Sequence, residues 1–244
     1  MSPPVAILLA AGVGKRFGAE GASRPKGLLD VAGETLLARL VRQLRQAGVQ
    51  KIVLVGGYGI EQIEAAFGDD PQIQILRNDR FERGAILSLH TAADSLEGPA
   101  LVMDADVFGP DEMLARLVGS AHENCFLLDP RAEASGEEQM LMVREGRVVD
   151  IARIPRGQFD RLGESVGFLK LGGEAARVLR ALVAERVAAG DIDLEHEEVY
   201  PTLLARVIAG YETVEDLDWT EVDFPDDLQR ARAIAAGPPA DPTA

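Results

Sequence analysis

A chain of 244 residues with 47% hydrophobic content has ample material for a buried core, and its formal net charge of −15 argues against binding nucleic-acid backbones or anionic lipid. One cysteine, Cys125, excludes an intrachain disulfide, and its neighbours Phe126, Leu127 and Leu128 point to a buried thiol in a reducing compartment. No apolar run approaches the ~20 residues of a membrane span and residues 1–4 lack the basic start of a signal peptide, so a cytoplasmic protein is expected.

Residues 5–10, VAILLA, form a short continuous apolar run bounded by glycine, the pattern of a parallel strand buried on both faces. From Glu34, Leu36, Leu37, Leu40, Val41 and Leu44 recur at three- and four-residue spacing and stop before Gly48, which predicts an amphipathic helix. A strand at 51–55, helix at 60–67, strand at 73–77, helix at 84–95 and strand at 100–104 continue the alternation. The first half therefore reads as βαβαβαβ, and the fold class expected is α/β with a doubly wound, mostly parallel sheet. In the second half, 140–143 and 147–151 flank the turn Glu145-Gly146 as a hairpin, taken as a small inserted β-layer. A strand at 166–171 precedes a long helix at 173–189; helices near 197–209 and 225–235 and strands near 211–215 and 219–222 close the chain. No linker-like stretch divides the halves, so one domain over 1–236 is expected, followed by a Pro- and Ala-rich disordered tail at 237–244.

The stretch LLAAGVGKRFGAEGASRPKGLL at 8–29 carries the first chemical signal. A strand running into Ala11-Gly12-Val13-Gly14 presents backbone N–H groups at the carboxyl edge of the sheet, where open α/β folds bind ligands, and phosphate suits such a loop. Lys15, Arg16 and Lys26 can neutralise a polyphosphate. The spacing is neither that of a Walker loop nor that of the dinucleotide fingerprint, since Phe17 stands where the third glycine belongs. The second signal is LVMDADVF, in which Asp104 and Asp106 lie on one side of a strand end, about 7 Å apart by strand period, and repel unless a cation binds. A third carboxylate, Asp223, ends a short apolar strand in WTEVDFPDDLQRA, while Asp226 and Asp227 read as first-turn helix acids. Oxygen ligands from two strand ends, with water and substrate phosphates, are what Mg²⁺ requires.

Together the opening L-A-A-G-x-G-x-R, the following P-K-G-L-L, the Asp-x-Asp of the fourth predicted strand and W-x-E-x-D-F-P-x-D-L resemble the nucleotidyltransferases with the GT-A-like, sugar-nucleotidyltransferase fold, over residues 6–232. Within that group, NDRFERGAILSLHTA, GESVGFLKL and EEVYPTLL are most similar to cytidylyltransferases that activate phosphocholine, 2-aminoethylphosphonate or inositol phosphate. The resemblance implies Mg²⁺-dependent transfer of a nucleotidyl group, CMP from CTP, to a small phosphorylated acceptor. It implies that Leu9, Ala10, Ala11, Gly12 and Gly14 hold the nucleotide with Lys15, that Arg16, Lys26 and Asp106 act in catalysis, and that Asp106 and Asp223 bind the metal. It further implies that Gly84 and Ser88 border the base and that Asp104 lies near the ribose or the metal's water. Arg153 stands where the family often carries a lysine on the acceptor phosphate.

The rest of the acceptor is open. Glu164, Glu197 and Glu198 could face a cationic head group, with Trp219, Tyr200 or Phe168 as an aromatic wall, whereas Asn78, Asp79 and Glu164 could instead bind the hydroxyls of a sugar or inositol phosphate. Phe168 and Tyr200 equally have the spacing of core residues. His90, His122 and His196 lie outside the strong motifs and read as surface or packing residues. The expected partners are a nucleoside triphosphate and a small phosphorylated acceptor, with neither nucleic acid nor membrane; a homodimer is left open. A dehydrogenase would need the third glycine and an acid closing the second predicted strand, which here ends Val55-Gly56-Gly57-Tyr58, and a nucleotide sensor would have no need of Asp106 with Asp223.

Overall fold

The computed structural model describes residues 3–14, 17 and 24–237 of the chain. β1 (Val5–Ala10) is followed by a ribbon of β2 (Asp30–Val31) and β3 (Glu34–Thr35), then by α1 (Leu36–Gln46), whose first turn is capped by the Thr35 hydroxyl accepting from the Ala38 N–H. The alternation continues through β4 (Lys51–Gly56), α2 (Ile60–Phe67), β5 (Ile73–Arg77), α3 (Ile86–Thr91) and β6 (Ala100–Asp104). Then come β7 (Val107–Phe108), α4 (Asp111–Gly119), β8 (Cys125–Asp129), the hairpin β9 (Met140–Arg144) and β10 (Arg147–Ala152), and β11 (Arg161–Leu171). The described chain closes with α5 (Gly173–Ala188), α6 (Tyr200–Leu204), β12 (Gly210–Thr213), β13 (Thr220–Glu221) and α7 (Pro225–Ala236).

Nine strands form one mixed sheet with the path β10-β9-β11-β6-β1-β4-β5; β8 branches from β11 and pairs in turn with β12. β6, β1, β4 and β5 are parallel, whereas β11 runs antiparallel to β6, β8 and β9. The expected inserted β-element is the β9–β10 hairpin, which extends this sheet at one edge; the separate small elements are the ribbons β2–β3 and β7–β13. Both faces of the sheet are covered. Ile7, Val53 and Val102 pack on one side with α3 and α5, while Ala6, Leu8, Leu54 and Leu101 pack on the other with α1 and α4. Coverage on both sides is why the central strands read as unbroken apolar runs.

A third cluster sets the site. Phe17, Leu29, Val31, Leu36 and Phe108 pack with Val222, Leu228 and Ala231, so α7 is clamped against the β2–β3 ribbon and the turn after β7. Cys125 is buried on β8, and burial pushes its thiol up to about 11, as suits an inert packing residue. No helix among the described residues is long and apolar enough to cross a membrane. Of the tail expected at 237–244, all but Gly237 lies outside the described residues.

Candidate active site

The register Leu9↔Asp104 between β1 and β6 sets the glycine turn beside the acidic strand end, and the Ala105 N–H donates to the Leu9 carbonyl at 3.3 Å. The turn at 11–14 is held by the Tyr58 N–H on the Ala11 carbonyl and by the Phe17 N–H on the Gly14 carbonyl, with Gly12 exposed. Lys15 and Arg16 lie outside the described residues.

Asp106 lies two residues past the end of β6. Its carbonyl accepts from the Val222 N–H at 2.9 Å, and β13 pairs with β7 through Glu221↔Val107, so the chain end carrying Glu221 and Asp223 is stitched alongside. Ligand oxygens of Asp106, Glu221 and Asp223 lie within 4.8 Å of one another. The Lys26 ammonium, delivered by the short 3₁₀ turn Lys26–Leu28, donates to Asp106 Oδ2 at 2.7 Å and to Asp223 Oδ1. Burial opposes its charge, yet Asp106 and Asp223 together hold the ammonium above the ordinary lysine range. Glu221 is pushed up to about 8 by burial of its carboxyl and by the neighbouring charges of Asp106 and Asp223. Asp106 Oδ1 is buried with no hydrogen-bond partner among the described residues. A stand-in cation, an orphaned buried oxygen and an all-oxygen donor set fit a hard divalent ion such as Mg²⁺.

A second group of donors lies next to the first. Asp104, His196 and Glu197 also place ligand atoms within 4.8 Å of one another, with His196 Nε2 3.8 Å from Asp104 Oδ1. His196 and Glu197 come from a 3₁₀ turn, His196–Val199, closed by a capping box in which the Glu195 N–H donates to Glu198 Oε2. Glu198, a candidate for a cationic head group, is thus a cap. Burial drives His196 down to about 4, so its ring is neutral at physiological pH. Asp104 is held well above the carboxylate range by burial and by the charges of Asp106, Glu197 and Glu221. Glu197 rises to about 7, chiefly through burial, while accepting from the Ser165 hydroxyl at 3.4 Å. Gly167, at φ +79, bulges β11 against Asp104: a Cβ there would collide with the Asp104 carboxylate.

The family model for the MobA-like NTP transferase domain matches residues 6–185, a span that holds the glycine turn, Lys26, Asp104 and Asp106. The chain belongs to this family. The bifunctional IPC transferase and DIPP synthase of Thermococcus kodakarensis is 31% identical over 241 residues, 96% of this chain and 51% of the relative. The CMP-5'-(3-aminopropyl)phosphonate synthase of Streptomyces rubellomurinus is 27% identical over 94% of this chain and 38% of its own length. The chain thus spans about half or less of these curated relatives. Among solved structures, the CTP:phosphocholine cytidylyltransferase of Streptococcus pneumoniae superposes with a TM-score of 0.78 at 20% identity, covering 96% of this chain and all of that one, which establishes the shared fold.

Within this family fold, Lys26, Asp104, Asp106, Asp223 and Glu197 converge at one sheet edge beside the 9–14 turn. Arg153 is exposed just past β10, near enough to favour the charged forms of Glu195 and Glu197. Glu164 sits opposite Asp129 on β11 and β8, and burial, Glu138 and Asp129 push it up to about 7. Trp219 does not form an open aromatic wall: it is 5% exposed in the core and its indole N–H donates to Asp129 Oδ2 at 2.7 Å. Tyr200 and Phe168 are likewise core residues, Tyr200 edge-on to Phe126 and His196. The buried Ser88 hydroxyl accepts from the Asn78 amide, and Gly84 is packed on the backbone of Asp193 and Leu194.

Two site residues escaped sequence reasoning. Glu221 precedes Asp223 by two positions on a short strand, and the strand period that paired Asp104 with Asp106 could have found it. His196 carried no such signal, because its place depends on the fold returning its turn to β6.

Proposed function

We propose that the chain catalyses nucleotidyl transfer, moving CMP from CTP to a phosphate or phosphonate oxygen of a small acceptor and releasing pyrophosphate. The observation that carries this reading is the Lys26 ammonium held between Asp106 and Asp223 beside the glycine turn: a cation seat adjoining a loop suited to phosphate. The choice of CTP draws support from the aminopropylphosphonate relative and the phosphocholine structural neighbour, whose names specify cytidine chemistry.

The acceptor oxygen attacks the α-phosphorus in line; the bond from that phosphorus to the bridging oxygen breaks, and its electron pair departs with pyrophosphate. A phosphate acceptor, with its second pKa near ~6, is already ionised at neutral pH, so no side chain has to remove a proton. A neutral, buried His196 agrees with that. Asp106, Asp223 and Glu221 would hold Mg²⁺, which when bound supplies Lewis-acid stabilisation of phosphate oxygens. Lys26, Arg16 and the backbone N–H groups of residues 11–14 screen the phosphates of the donor, and Arg153 takes the acceptor anion.

The test is pyrophosphate release, with and without Mg²⁺, crossing the four nucleoside triphosphates with phosphonate, phosphocholine, inositol 1-phosphate and glucose 1-phosphate acceptors. The expected result is Mg²⁺-dependent release with CTP. Release with a sugar phosphate and another nucleotide would keep the chemistry and change the substrates, while silence in every combination would refute the reading.

A further inference from the structure

We infer that Asp129 is a positioning residue for the metal seat: through the Trp219 indole and through Arg131 it fixes the segment 217–223, and with it the register of Glu221 and Asp223. The inference rests on the reading of Asp106, Glu221 and Asp223 as metal ligands and deepens it.

Two of those three carboxylates come from a strand that cannot hold its own place. β13 is two residues long and pairs with the two-residue β7, and a ribbon of that size is not stable alone. Its register nonetheless matters. Glu221 and Asp223 are alternate residues, so a slip of one position against β7 would turn both carboxylates away from Asp106. At its far end the segment is tied by the Val222 N–H on the Asp106 carbonyl and by α7, whose Leu228 and Ala231 pack with Val222.

The near end is tied by Asp129. This residue ends β8 and is 5% exposed. Its Oδ2 accepts from the Trp219 indole N–H and from Arg131 Nη2, both at 2.7 Å, and its Oδ1 accepts from the Arg131 backbone N–H at 2.9 Å and from Nε at 3.0 Å. Arg131 Nη2 also donates to the Leu217 carbonyl at 2.8 Å. The chain is thus gripped at 217 and 219, just before the first metal ligand, Glu221. Trp219 packs as well on Gly109 in the turn after β7, where a Cβ would stand 3.3 Å from its own.

Other roles fit less well. Asp129 is not itself a ligand for metal or substrate, because Trp219 and the three Arg131 donors already fill the acceptor capacity of a carboxylate. Nor is it a stray core charge: burial opposes ionisation, but Arg131 and Trp219 outweigh it and hold the carboxyl below the ordinary range. An ion pair serving stability alone would be complete with Arg131. The indole and the Leu217 carbonyl are what extend it to the segment that bears the ligands.

Trp219 is the chain's one tryptophan, so its indole N–H gives a single resonance that can be followed in the unaltered protein. Coupling is reciprocal: if the clamp strengthens metal binding by about tenfold, the scale of one hydrogen bond to a charged group, bound metal strengthens the clamp by the same factor. Saturating Mg²⁺ should therefore slow solvent exchange of the indole N–H by about tenfold. In nucleotide-free calorimetry, Trp219→Phe, which removes the donor and keeps an aromatic ring, should weaken Mn²⁺ binding by about tenfold, and its lost turnover should return as Mg²⁺ is raised. Asn124→Ala cuts the hydrogen bonds to Ile208 and Gly172 at the opposite end of β8, and should lower the melting temperature without moving the Mn²⁺ affinity. Indole exchange that ignores Mg²⁺ in the wild type overturns the inference whether or not a variant folds. Wild-type Mn²⁺ affinity in a folded Trp219→Phe protein overturns it while leaving the metal reading intact, and a wild type that binds no Mn²⁺ removes both.

Discussion

Lys26 occupies the seat that a metal ion would need, which makes Lys26→Met an informative perturbation. In the free protein its ammonium, on a side chain 15% exposed, donates to Asp106 and Asp223, whose side chains are 22% and 31% exposed. A divalent ion entering that seat must break two charge-assisted hydrogen bonds, each worth about 1.5–3 kcal/mol in net terms. Part of that is regained when the ammonium turns to substrate phosphates, but without nucleotide it is a cost to metal binding. Removing the ammonium should therefore tighten nucleotide-free Mn²⁺ binding by about tenfold or more, even as it lowers turnover with CTP by about a hundredfold or more through the lost phosphate contact. The same change leaves Asp106, Glu221 and Asp223 facing one another, so the variant should melt below the wild type in chelator and recover when Mg²⁺ is added. Calorimetric Mn²⁺ titration and thermal melts with and without Mg²⁺ read both effects. Mn²⁺ binding unchanged or weaker in the variant, with no metal-dependent recovery of its melting temperature, would refute the idea that lysine and metal compete for one seat.

Asp106→Asn should lose Mn²⁺ binding in the same titration and reduce kcat by about a thousandfold, since it removes a metal ligand along with the main partner of Lys26. Glu164→Gln probes pH dependence. Its carboxyl, raised to about 7 from the ordinary value, keeps a proton in the folded state that the unfolded chain has released, so stability falls as pH rises from about 4.5 through 7. The amide variant should thus melt higher than wild type at pH 8, with a gain that shrinks toward pH 5; an equal difference at both pH values would refute the burial argument. Gly84→Ala should act at a distance: its Cβ would collide with the backbone of Asp193 and Leu194, displacing the turn that bears His196 and Glu197, so the KM for the acceptor should rise more than that for CTP.

The parts of the fold legible in the sequence were those fixed by local periodicity. The apolar runs at 5–10, 73–77 and 100–104 and the helix at 60–67 coincide with β1, β5, β6 and α2, because strands buried on both faces and amphipathic helices leave unambiguous patterns. The helix expected at 84–95 is instead α3 followed by a 3₁₀ turn, Ala93–Glu97, and that expected at 197–209 is a 3₁₀ turn followed by the short α6. Both segments are shaped by packing: the Gly84 and Ile86 N–H groups donate to the carbonyls of Ile192 and Leu194, a contact between distant residues that no local pattern encodes. β8 was read only as a buried apolar neighbourhood of Cys125, since its pairing with both β11 and β12 is a property of the topology.

The candidate site divides along the same line. Asp104, Asp106 and Asp223 could be read because a strand end and a capped helix start place carboxylates by rule, whereas Trp219 was misplaced because an indole in the core and one on a ligand wall share the same local sequence. What local reading could not supply is the balance of charge. A chain of net charge −15 that gathers five carboxylates at one sheet edge, Asp104, Asp106, Glu197, Glu221 and Asp223, repels a triphosphate unless cations intervene. Lys26 alone cannot offset them, and burial, with the neighbouring carboxylates adding to it, raises the carboxyls of Asp104, Glu197 and Glu221. A divalent ion at Asp106, Glu221 and Asp223 would offset part of that charge.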